Sequence, residues 1–64
     1  MISEQVRFLK QRRVAKLMTQ ADLGLCIGLA LPVIDSIERG IIKPDKETLR
    51  VIEEALDNWN GDIE

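Results

Sequence analysis

The residues whose types and spacing point to chemistry lie between positions 19 and 44. They run Thr19-Gln20-Ala21-Asp22-Leu23, then Gly28, then Ile34-Asp35-Ser36-Ile37-Glu38-Arg39-Gly40, then Lys43-Pro44. The chemistry is not bond-making. The chain has no His, a single Cys (Cys26) and no glycine-rich loop to cradle a phosphate. No pair of carboxylates sits in an apolar stretch, so general acid–base catalysis has no candidates. One thiol without an imidazole leaves too few ligands for a zinc site, and no intramolecular disulfide can form. No catalytic residue, metal or cofactor is expected. What remains is recognition: polar and charged side chains carried on two short helices.

The elements that position them follow from local signals. Thr19 is placed to N-cap a helix, and Asp22 three residues later completes a capping box. Leu23 and Ile27 fall one turn apart on one face. Gly28 permits a left-handed bend, after which Ile34 and Ile37 resume the apolar stripe, and Gly40 stops the second helix. Two short helices crossing at a glycine turn form the scaffold that presents a helix to the DNA major groove. Around this pair the periodicity predicts a first helix from Glu4 to Lys16, capped by Ser3, with Val6, Leu9 and Arg13 inward. It predicts further helices over Gln20–Ile27, Leu31–Arg39 and Lys46–Leu56, the last capped by Asp45. The expected core is Leu9, Leu23, Ile27, Ile34, Ile37, Leu49, Ile52 and Leu56. Asp57 to Gly61 read as a helix end and turn, with Trp59 over the bottom of the core. No strand is expected.

The chain resembles the lambda-repressor/Cro-type (XRE) helix-turn-helix family from about Val6 to Leu56. The matching words are Leu9-Lys10-Gln11-Arg12-Arg13, Met18-Thr19-Gln20, Leu23, Gly28, Ile34, Ile37-Glu38-Arg39-Gly40, Lys43-Pro44, Thr48-Leu49, Ile52 and Ala55-Leu56. Each word is weak alone; all of them in order, without gaps, are specific. The resemblance implies an all-α, compact four- to five-helix lambda-repressor-like fold over residues 1–64, with the helix-turn-helix motif at about 20–39. The family usually has a fifth helix near the C-terminus, which is truncated or absent here. The resemblance also implies a phage- or prophage-type transcriptional regulator that binds double-stranded operator DNA as a homodimer. Helix 3 would enter the major groove with Leu31, Pro32, Val33 and Ser36. Gln20 and Lys43 match positions that contact the DNA backbone, and Arg13 and Glu38 match a buried ion pair.

Several positions depart from that pattern. Relatives place hydrogen-bonding side chains at the start of helix 3, because base edges are read by hydrogen bonds. Leu31, Pro32 and Val33 have none, Ala30 replaces a Ser/Thr cap, and Asp35 adds negative charge. On helix 2, Leu25 and Cys26 stand where charged residues are usual, and with Leu31, Pro32 and Val33 they would make one apolar surface. Two readings follow. In one, specificity comes from thymine methyls, Ser36 and DNA shape. In the other, Leu25, Cys26, Leu31 and Val33 bind another regulatory protein, as an antirepressor or heterodimer subunit would. Gly24 lets helices 2 and 3 approach closely. Leu17 stands where a C-cap glycine is common, at a cost of about 1 kcal/mol if it is left-handed.

Sixty-four residues allow one small domain. The formal net charge is −2, low for a nucleic-acid partner, but it is unevenly spread. Arg7, Lys10, Arg12, Arg13 and Lys16 oppose only Glu4 before position 22, whereas Glu53, Glu54, Asp57, Asp62 and Glu64 crowd the C-terminal end. A basic early face could meet phosphates while the acidic end points away. The start lacks the apolar stretch of a signal peptide, and the uncharged run from Leu23 to Ile34 is too short to span a bilayer. A cytoplasmic protein with no membrane partner is expected.

Overall fold

The computed structural model describes residues 3–61. They form four α-helices: α1 (Glu4–Ala15), α2 (Gln20–Ile27), α3 (Leu31–Glu38) and α4 (Lys46–Asn58). There is no strand and no fifth helix among the described residues. α4 packs on α1 and α2, while α3 packs on α1 and α2 from another side.

Three of the four helix starts carry a side-chain cap. The Ser3 hydroxyl accepts from the Val6 N–H and the Asp45 carboxylate from the Thr48 N–H. At α2 the capping box is complete: Asp22 N–H donates to Thr19 Oγ1 and Thr19 N–H to Asp22 Oδ2, both at 3.0 Å. α3 has no side-chain cap at Ala30, and Pro32 in its first turn has no N–H to satisfy.

Three of the helix ends use one device, a left-handed residue just past the helix. Gly28 (φ 74°) and Gly40 (φ 78°) supply it after α2 and α3. After α1 it is Leu17, at φ 59°. There the N–H of Leu17 reaches the Val14 carbonyl at 3.0 Å and that of Met18 the Arg13 carbonyl at 3.1 Å. This turn ends α1 at Ala15 rather than at Lys16. The equivalent turn at Gly40 ends α3 at Glu38 rather than Arg39. α4 continues past Leu56 to Asn58, since no left-handed residue stops it before Trp59 takes an extended conformation.

The core is built from Leu9, Met18, Leu23, Ile34, Ile52 and Leu56, with Val6 and Ile37 also buried. Ile27 and Leu49 are only half-buried at its edge, packed on it together with Leu29, Ala55 and Trp59. Met18 belongs to no helix, so no periodicity marks it. The left-handed turn at Leu17 folds it inward, which is the hydrophobic contact such turns commonly make. Trp59 covers the lower edge, and its indole N–H donates to the Lys16 carbonyl at 3.3 Å.

Candidate nucleic-acid interface

α2 and α3 are bent by 114° across the turn at Gly28, within the range of a helix-turn-helix. Two features fix that angle. A Cβ added at Gly24 would lie 2.4 Å from the backbone oxygen of Leu29, so only glycine admits this approach. The Gly24 carbonyl in turn accepts from the N–H groups of Gly28 and Leu29, at 2.8 and 3.0 Å.

The second feature is a polar network behind α3. Arg13 and Glu38 form a bidentate pair, Nε to Oε2 at 2.7 Å and Nη2 to Oε1 at 2.9 Å, and both side chains are buried. Arg13 Nη1 also donates to the Met18 carbonyl at 2.6 Å. Gln20 extends the network, its Nε2 donating to Glu38 Oε1 at 3.0 Å and to Asp35 Oδ1 at 3.2 Å. Asp35 accepts further from Arg39 at 3.5 Å. The start of α2 is thereby tied to the middle and end of α3.

This network changes what Gln20 has to offer. Both donors of its side-chain amide are engaged within the protein. The donors left at the head of α2 are the backbone N–H groups of Gln20 and Ala21, which have no carbonyl one turn back and sit at the positive end of the helix dipole. Asp35 is likewise less of an obstacle to phosphate than its charge alone implies, because Arg39 and Gln20 both engage it.

The outward residues of α3 fall into two sets. Leu31 is 46% exposed, Pro32 is exposed, and Val33 and Ser36 are half-buried. Val33 therefore does not stand free as the interface reading required. Lys43 is exposed in the loop after α3 and makes no ion pair among the described residues.

The single apolar surface expected from Leu25, Cys26, Leu31, Pro32 and Val33 is not formed. Leu25 (71% exposed) and Leu31 share a groove with Ala21, Leu29 and Ala30, over the α2–α3 turn. Cys26, though exposed, lies instead against α4, beside Ile27, Arg50 and Trp59. Successive residues of a helix point about 100° apart, and here that rotation puts Leu25 on the α3 side of α2 and Cys26 on the α4 side.

The charge separation along the sequence also folds back on itself. Arg12 pairs with Asp57, and Lys16 Nζ donates to the Leu56 carbonyl at the end of α4. The acidic end of α4 thus lies against the basic end of α1. Asp62 and Glu64 lie outside the described residues. Sequence reasoning missed the role of Lys16, because its acceptor lies 40 residues away on α4 and no local signal marks it.

Among the described residues no group of His, Cys, Asp and Glu could hold a metal ion, and no single helix is long and apolar enough to cross a membrane. A family model described as helix-turn-helix matches residues 9–58. Comparisons with curated proteins and with solved structures found no match.

Proposed function

We propose a function from one premise: the chain belongs to the lambda-repressor/Cro-type (XRE) helix-turn-helix family, a family of DNA-binding transcription regulators. On that premise it is a phage- or prophage-type regulator that works in the cytoplasm and binds operator DNA as a homodimer. α3 enters the major groove of each half-site, and two protomers read half-sites about one helical turn apart. Leu31, Pro32, Val33 and Ser36 face the bases. The head of α2 at Gln20 and the Lys43 ammonium hold flanking phosphates. The observation that carries this proposal is the 114° pair of helices, braced by Gly24 and by the Arg13–Glu38–Gln20 network, with the first turn of α3 left exposed.

The test is a fluorescence titration against random duplex DNA across a range of salt. Binding that weakens steeply as salt rises is expected. Lys43→Ala should weaken all sequences alike, whereas substitutions at Val33 or Ser36 should change sequence preference. No binding to any duplex at ~50 mM salt, where phosphate contacts count most, sinks the proposal. One observation favours a protein partner instead: Leu25, 71% exposed beside Leu31, is a larger apolar group than a solvent-facing helix position needs. In that case affinity should be insensitive to salt.

A further inference from the structure

We infer that the groove at the head of α3 reads the C5-methyl group of pyrimidines in the major groove, so that 5-methylcytosine and thymine are recognised alike. This deepens the DNA-binding proposal and rests on it.

The groove is lined by Ala21, Leu25, Leu29, Ala30 and Leu31. None of these side chains carries a donor, an acceptor or a charge. Pro32, next along α3, lacks even a backbone N–H. The polar side chains nearby are already occupied. Asp35 accepts from Gln20 and Arg39, and Glu38 is held by Arg13 and Gln20. Of the four outward residues of α3, only Ser36 brings a hydroxyl.

The major groove presents donors and acceptors from every base pair, but one kind of apolar group, the methyl on C5 of thymine. An apolar surface pressed on polar base atoms leaves them without partners, at a cost in affinity. Pressed on a methyl, it removes apolar area from water on both sides. The carbon that distinguishes 5-methylcytosine from cytosine is attached to the same ring position. A surface that cannot hydrogen-bond to the neighbouring O4 or N4 has no means of telling the two methylated bases apart.

The flanks fit a nucleic acid as the occupant. Lys43 is exposed and free of ion pairs among the described residues, and α2 directs its N-terminus outward at Gln20 and Ala21. Both are donors that suit phosphate.

The experiment uses one random-sequence duplex pool synthesised in four forms, with thymine or uracil and with cytosine or 5-methylcytosine. Each is titrated with the protein at ~50 mM salt. The uracil–cytosine pool should bind weakest, by about fourfold for each methyl contacted. Replacing its cytosine by 5-methylcytosine should restore the binding lost with thymine. Leu31→Ser, at an exposed position with little risk to the fold, should bring the four pools to one affinity without changing the salt dependence. Equal binding of all four pools by the unaltered protein overturns the inference and leaves DNA binding standing. So does a Leu31→Ser protein that retains the full preference for methylated pools. Failure to bind any pool overturns both proposals and assigns the groove to a protein partner.

Discussion

Replacing Glu38 by Ala removes one end of the buried network and tests how much the fold depends on it. The guanidinium of Arg13 makes three short hydrogen bonds, two to Glu38 at 2.7 and 2.9 Å and one to the Met18 carbonyl at 2.6 Å. The two side chains are 9% and 7% exposed, so solvent screens them little. Bonds to charged groups contribute about 1.5–3 kcal/mol each, and losing two of them leaves a cation with only one protein acceptor. The expected loss is about 3–5 kcal/mol, the range found when one partner of a buried pair is removed. Gln20 also loses an acceptor, so the loss should fall in the upper part of that range. A domain of this size has only about 3–10 kcal/mol in total, so Glu38→Ala should be partly or wholly unfolded at room temperature. The assay is urea unfolding followed by circular dichroism, with Glu38→Leu, Arg13→Met and the double variant Arg13→Met/Glu38→Leu forming a cycle beside Glu38→Ala. The double variant should recover most of the loss, because an apolar pair leaves no uncompensated charge. Raising the salt should change the result little, since the pair is screened from solvent. A loss below about 1 kcal/mol, or a coupling below about 0.3 kcal/mol, would refute the reasoning and make the pair an ordinary surface contact.

Three further outcomes follow from the backbone and the caps. Leu17→Gly should stabilise the domain by about 0.5–1 kcal/mol in thermal melts, because it relieves a left-handed leucine that is 88% exposed and contributes little burial. Gly24→Ala should destabilise by about 1–3 kcal/mol despite the better helix propensity of Ala, because its Cβ meets the Leu29 backbone oxygen at 2.4 Å, and backbone cannot swing aside. Asp45 has its pKa held below 3.8 by hydrogen bonds from Thr48, so its capping contribution is present above that pH and lost as pH falls through the lowered value. Asp45→Asn keeps a capping side chain without the titration, so the difference in melting temperature between the two proteins should shrink as the solution is acidified.

Local signals were legible in the sequence, and long-range ones were legible only by resemblance. Ser3, Thr19 with Asp22, and Asp45 act within three residues of themselves, so their caps can be read from spacing alone. Gly28 and Gly40 likewise announce the turns they make. Leu17 breaks the rule that a left-handed residue is glycine, and with it went Met18, whose burial depends on that turn. Gln20 was legible as a helix start but not as a bridge, because Asp35 and Glu38 lie 15 and 18 residues away and become its neighbours only after α3 has packed. For Leu25 and Cys26, adjacency in sequence does not become adjacency of surface. Rotation about the helix sends one to the α3 groove and the other to α4.

The overall charge pattern shows why a formal balance of −2 is a poor guide to a partner. Among the described residues, five acidic groups are engaged by cations. Asp57 is held by Arg12, Glu47 and Glu54 by Arg50, Asp35 by Arg39 and Gln20, and Glu38 by Arg13. The cations that make no ion pair among the described residues are Arg7, Lys10, Lys16, Lys43 and Lys46, of which Lys16 is engaged by the Leu56 carbonyl. What a phosphate meets at close range is set by charges left uncompensated locally, since fields from distant charges are screened within about 10 Å at ordinary salt. Lys43 lies in the loop next to α3, and Arg12 and Arg50 offset Asp57, Glu47 and Glu54 of α4 locally. An acidic chain can therefore keep a phosphate-compatible face, with weak long-range attraction and short-range specificity carried by the apolar head of α3. Such a protein should associate with DNA slowly for its family, because few uncompensated cations steer its approach.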